Sequence, residues 1–111
     1  MDLSKLNLQD MLDVAAETAK MAGKILIDGQ SSAKARRKRD GSMVTDMDYK
    51  AEGLIIKTLW RKFSRYCFGF LCEEHGKINS QEYRWIVDPC DGTDSYVRGI
   101  PGWSVMIAFE A

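Results

Sequence analysis

The chain has 111 residues, 45% of them hydrophobic, which allows one modest domain with a real core and not two. Its 16 basic residues balance its 16 acidic ones, so no global charge points to nucleic acid or to an anionic membrane. No apolar run approaches the roughly 20 residues needed to span a bilayer, and Asp2 and Asp10 interrupt any secretory signal pattern.

Residues 7–28 read as a helix. Leu12, Ala15, Ala19, Ala22 and Leu26 fall at alternating steps of three and four, the stripe of a half-buried helix. Asn7 can cap it, Asp10 faces the positive end of its dipole, and Gly29 is a terminator. Residues 31–42 are polar and include a basic run from Lys34 to Arg39 without the interleaved aromatics of a nucleic-acid patch, so a solvated strand or loop is expected. Thr45 with Asp48 three residues on fits a capping box, and the helix it opens carries Ala51, Ile55, Leu59 and Phe63 on one face.

Residues 68–71 read as a short buried strand, followed by Cys72-Glu73-Glu74-His75-Gly76. His75 is expected to be a surface loop residue without a role, and residues 77–82 a polar turn. Residues 85–87 form a buried strand that is expected to end at Asp88-Pro89, because proline cannot extend a hydrogen-bonded ladder. Gly92-Thr93 opens a short helix, and residues 103–109 read as a mostly buried strand with apolar residues on both faces. Helices grouped before strands give an α+β domain, with two N-terminal helices on one face of a mostly antiparallel sheet. Cys67, Cys72 and Cys90 are odd in number and lack metal-knuckle spacing, which suits free thiols in a reducing cytosol.

The chemistry concentrates in Trp85-Ile-Val-Asp88-Pro89-Cys90-Asp91-Gly92-Thr93. Asp-Pro and Asp-Gly are ordinary turn signals. The same order also sets hard oxygen ligands beside backbone N–H groups, the former suited to Mg²⁺ and the latter to phosphate.

The pattern W-x-x-D-P-x-D-G-T, followed by Tyr96 and by Gly99-Ile100-Pro101, resembles the signature of the inositol monophosphatase family, the Mg²⁺-dependent, lithium-sensitive phosphatases. Lys38 to Asp48 matches that family's K-x-D-x-S-x-V-T-x-x-D pattern, and Glu73-Glu74 its strand-end acidic pair. Met43 and Cys72 stand where the family usually has proline and a small residue. The resemblance covers essentially all of residues 1–111, but only about the first two fifths of a typical member. It therefore implies a single N-terminal metal-binding domain, with a C-terminal substrate domain and its W-D motif absent.

By that resemblance Glu73, Asp88 and the main-chain carbonyl of Cys90 bind a first Mg²⁺, while Asp88 and Asp91 bind a second. Glu73 and Thr93 orient and deprotonate the attacking water, Asp48 and Lys38 order the waters nearby, and the amides of Gly92 and Thr93 hold the phosphate. The implied activity is Mg²⁺-dependent hydrolysis of a small phosphorylated metabolite, catalytically incomplete in this chain alone. Inositol monophosphate, histidinol phosphate and a 3′(2′),5′-bisphosphate nucleotide are the candidate substrates, and Asp94 beside the phosphate does not choose among them. The resemblance also implies a cytoplasmic homodimer in the full-length form, without nucleic-acid or membrane partners. A non-catalytic remnant that binds metal or a partner is the reading from a different class.

Overall fold

A computed structural model describes residues 3–111. Helix α1 spans Leu8–Gly29, and the Asn7 side chain accepts from the Asp10 amide at 2.9 Å as the expected N-cap. Its buried face is Met11, Ala15, Thr18, Ala22 and Leu26. The expected stripe is therefore displaced by one residue at two points: Leu12 is 62% exposed and Ala19 half-buried. Both stripes satisfy the same spacing, and Thr18 becomes tolerable inside because its hydroxyl donates to the Val14 carbonyl at 2.7 Å. The α-helix does end at Gly29 as expected, but not through a left-handed cap. The glycine stays right-handed and leads into a 3₁₀ turn, Gln30–Ser32. A side chain there would meet the flexible thioether of Met47, which would have to move aside.

Strands β1 (Ala35–Arg37) and β2 (Met43–Thr45) form an antiparallel hairpin whose first strand is wholly exposed, in line with a solvated basic run. Helix α2 spans Asp46–Lys62 behind a complete capping box between Thr45 and Asp48. Ala51, Ile55, Leu59 and Phe63 are buried as expected, and Asp48 and Glu52 are buried with them.

The main sheet has the order β4-β3-β5-β6, with β3 Gly69–Cys72, β4 Gly76–Ile78, β5 Arg84–Asp91 and β6 Ser104–Glu110. Only β3 and β5 are parallel; the other pairings are antiparallel. Helix α2 packs against β5 and α1 against α2 and β6, which gives the expected α+β arrangement. On the helix side, Phe63 lies 5.8 Å from Trp85, and Phe109 lies 5.1 Å from Trp85 and 4.8 Å from Phe68 in edge-on packing.

Three strand expectations change. Strand β4 occupies the start of the supposed polar turn, because three residues, one of them lysine, carry too little apolar pattern to be read. Strand β5 runs through Asp88-Pro89 to Asp91, with a register irregularity between Asp88 and Asp91 where the proline has no ladder bond to lose. Strand β6 is not mostly buried. Val105, Ile107 and Phe109 are half-buried on the helix side, whereas Met106 is 53% exposed. Leu71, Ile86 and Ala108 line up across the same outer face, which no described element covers.

The short helix α3, Thr93–Arg98, follows the left-handed Gly92. Tyr96 on α3 is fully buried and its hydroxyl donates to the Leu26 carbonyl at 2.6 Å, while Gln30 Nε2 donates to the Tyr96 carbonyl at 2.9 Å. These two bonds fasten α3 to the end of α1.

Candidate active site

Because β3 and β5 are parallel, their carboxyl ends leave the sheet at the same edge, the usual place for a ligand on such a sheet. The Glu73 amide extends the ladder by one bond, donating to the Val87 carbonyl at 3.0 Å, and so sets Glu73 beside Asp88. The irregularity after Asp88 then turns the chain so that Asp91, Gly92 and Thr93 face the same space. The result is an open pocket of 240 Å³, walled by five carboxylates (Glu73, Glu74, Asp88, Asp91, Asp94) against the single ammonium of Lys38, with Cys90, Gly92 and Thr93 on the third side. A wider concavity of 670 Å³ lies over the apolar outer face of the sheet and shares only Glu73 and Asp88 with it. Most of the expected site residues line the smaller, polar pocket.

The carboxylates share a wall without converging. Among the described residues, no three acidic, imidazole or thiol groups are gathered at metal-ligating range. Like charges this near one another repel, and Asp88 carries part of that cost. Burial, then the nearby charges of Glu73, Asp91 and Asp48, push its pKa up against a hydrogen bond from the Cys90 amide at 3.3 Å. A donor set of hard, crowded, anionic oxygens fits a divalent cation of the Mg²⁺ class. Burial pushes the Cys90 thiol up to about 12, so the neutral side chain is a poor ligand and the residue's carbonyl is its hard oxygen. Lys38 bonds Glu74 at 2.6 Å; burial pulls its pKa down, but Glu74 and the charges of Glu73 and Asp40 outweigh that and hold it charged.

Of the expected site residues, Glu73, Asp88, Cys90, Asp91, Gly92 and Thr93 all line this pocket. Asp48 does not. It is 1% exposed, and its carboxylate accepts from the Thr45 hydroxyl at 2.9 Å and from the Thr93 hydroxyl at 3.2 Å. It therefore reaches the pocket through Thr93. Gly92 sits at φ +93°, and a side chain there would overlap the Gly102 carbonyl oxygen.

Sequence reasoning missed Glu52 and gave His75 no role, yet the two are bonded at 2.6 Å directly beneath Glu73-Glu74. The available signal was spacing: Asp48, Glu52, Ile55 and Leu59 step by four, three and four, which places a glutamate on the inward face of α2.

This pocket, at the ends of two parallel strands and beside a left-handed glycine, sits on a chain whose residues 7–110 match the model of the inositol monophosphatase family. The chain belongs to that family. It is 42% identical over 102 residues to a histidinol-phosphatase from Chlorobaculum parvum and 36% identical over 105 residues to an inositol-1-monophosphatase from Mesorhizobium japonicum. These alignments take in 89% and 90% of this chain but 39% of each relative, so the chain spans about two fifths of the length of the inositol monophosphatase relatives it matches. The crystal structure of the extragenic suppressor protein SuhB from Bartonella henselae superposes with a TM-score of 0.82 at 34% identity, over 92% of this chain and 41% of that one.

The crowding predicts a pH response. Burial is the largest cause of the raised pKa values of Asp48, Glu74 and Asp88. A carboxylate whose pKa is higher folded than unfolded adds stability below its unfolded pKa, and that stability is lost as pH rises through the folded value. Metal-free protein in EDTA should therefore melt at a higher temperature as pH falls from neutral toward the ordinary carboxylate range. Saturating Mg²⁺ should reverse the trend, because protons then compete with the cation. Thermal scans across that pH range, with and without Mg²⁺, check both signs.

Proposed function

We propose that this chain is the metal- and phosphate-binding part of a Mg²⁺-dependent phosphomonoesterase acting on a small phosphorylated metabolite. The observation that carries the reading is the pocket at the ends of β3 and β5, where hard carboxylates stand opposite the Gly92-Thr93 turn. Glu73, Asp88, the Cys90 carbonyl and Asp91 would hold Mg²⁺, which when bound supplies Lewis-acid neutralisation of phosphate charge.

The other steps fall to the protein's own groups. Thr93 donates its single hydroxyl proton to Asp48, at 3.2 Å, or to the Cys90 carbonyl, at 2.9 Å. When it bonds Asp48, its lone pairs are left to accept from a water in the pocket. Glu73 is the base that takes the proton of that water as it attacks phosphorus in line, while the bond from phosphorus to the ester oxygen breaks and the metabolite leaves as an alkoxide that takes a proton from solvent. The amides of Gly92 and Thr93 hold the phosphate oxygens, and Lys38, kept charged by Glu74, adds positive potential at the rim.

An inositol monophosphate-type ester is the leading substrate. The 42% identity to a protein named histidinol-phosphatase favours histidinol phosphate as the second reading, and a bisphosphate nucleotide stands third. We further infer a cytoplasmic homodimer for a chain of the relatives' length, with no nucleic-acid or membrane partner; no helix among the described residues is long and apolar enough to cross a membrane.

The test is release of inorganic phosphate from the three esters, with and without Mg²⁺. Residues 1–111 alone should turn over negligibly. Within this chain the second cation has only Asp88 and Asp91, one of them shared, and weakened charge stabilisation costs a rate factor of about 10² to 10³. A chain carrying the remaining three fifths of the relatives' length should be active. Robust Mg²⁺-dependent turnover by residues 1–111 that Asp91→Asn abolishes would overturn the second-cation reading. No turnover by the longer chain on any ester would overturn the phosphatase reading itself.

A further inference from the structure

Glu52 is buried with no exposed surface, in the middle of α2, and has no place in the mechanism above. Its carboxylate accepts from the Glu74 amide at 3.0 Å, from the His75 amide at 2.6 Å and from His75 Nδ1 at 2.6 Å. The loop it holds is short. Strand β3 ends at Cys72 and β4 begins opposite it at Gly76, which leaves Glu73, Glu74 and His75 to make the connection. The Glu73 amide continues the ladder to Val87, and the next two amides both end on Glu52. Every amide of the loop is thus fixed, two of the three by one side chain from a different element.

We propose that Glu52 is a positioning residue for the metal-binding carboxylate Glu73, with His75 as its clasp. The proposal rests on the reading of Glu73 and Asp88 as cation ligands. A buried carboxylate is costly unless its lone pairs are filled, and here backbone and imidazole N–H groups fill them. The bonds hold the loop backbone, so Glu73 and Glu74 emerge at fixed points on the pocket wall rather than retreating from Asp88 as their charges would drive them. His75 is itself braced. Its ring meets Tyr49 edge-on at 5.9 Å, and the Tyr49 hydroxyl accepts from Arg36 on β1 at 2.9 Å. The basic hairpin is thereby coupled to the acidic loop through Tyr49, His75 and Glu52.

Three readouts on residues 1–111 test this: Mn²⁺ affinity by electron paramagnetic resonance, amide hydrogen exchange of the metal-free protein, and thermal melting. Glu52→Gln keeps the volume and removes an anionic acceptor. It should weaken Mn²⁺ about tenfold, the scale of a lost outer-shell partner, and speed exchange at Glu74 and His75 while Trp85 and Val87 on β5 stay protected. His75→Ala removes only the clasp on a side chain that is 39% exposed, so folding is spared. It should weaken Mn²⁺ about threefold, one net hydrogen bond, and it decides the matter if Glu52→Gln does not fold.

Wild-type Mn²⁺ affinity in folded Glu52→Gln, or in His75→Ala where Glu52→Gln is unfolded, overturns the proposal. Faster exchange throughout β5 with unchanged affinity does so too, because it marks Glu52 as a core residue only. Asp88→Asn separates the two claims. If Asp88→Asn loses Mn²⁺ while Glu52→Gln keeps it, only the positioning role fails. If Asp88→Asn binds as wild type, the cation reading of the pocket fails and this proposal with it.

Discussion

Replacing Asp88 by asparagine is expected to weaken Mg²⁺ or Mn²⁺ binding about a hundredfold or more, the upper end of what losing even an indirect partner costs a metal site. Asp88 is assigned to both cations, and the exchange removes its charge while leaving the volume almost unchanged. The same change should raise the melting temperature of the metal-free protein, because the ionised Asp88 is half-buried and faces Glu73, Asp91 and Asp48. Opposite signs in two measurements make the prediction demanding. Calorimetric titration and thermal scans on one preparation supply both, and wild-type affinity in Asp88→Asn would remove the site.

Gly92→Ala is the second large effect, and it acts through the backbone. Gly92 is at φ +93°, and an added Cβ meets the carbonyl oxygen of Gly102 and, at 3.2 Å, the Cα of Trp103. Neither neighbour is a side chain that can swing aside. The strained conformation costs about 1–3 kcal/mol and the overpacking about as much again. The expected loss is thus roughly 2–6 kcal/mol, a large share of a stability of order 5–15 kcal/mol. Urea unfolding measures it directly. A midpoint unchanged from wild type would mean that the turn relaxes in a way the close approach of residues 92 and 102 does not allow.

What the sequence made legible follows from how local each signal is. The capping box at Thr45 and Asp48 is confined to four residues, and the structure contains it. The acidic and glycine-bearing stretch from Asp88 to Thr93 was equally readable, since its residue types are specific and adjacent. The inner face of α1 was not. Met11 and Leu12 are equally apolar, and only the neighbours α2 and β6 decide which of them turns inward. Strand β5 was cut short at Pro89 because the ladder rule is sound in general, and a register irregularity suspends it here. Glu52 lay hidden for a related reason. The spacing of α2 turns it inward, but its partners are 22 and 23 positions away, and nothing local says that backbone amides will come to meet it.

The fastening of α3 to α1 has a kinetic consequence. The Tyr96 hydroxyl reaches Leu26 across 70 positions, and Gln30 reaches the Tyr96 carbonyl across 66. Contacts this distant in sequence carry a high loop-closure cost before they return any stability, so folding should be slow for a domain of this size. During synthesis, α1 leaves the ribosome long before Tyr96 exists to lock it. In that interval the apolar face of the helix depends on α2 alone, which makes the nascent chain, more than the finished one, the species at risk of misassociation.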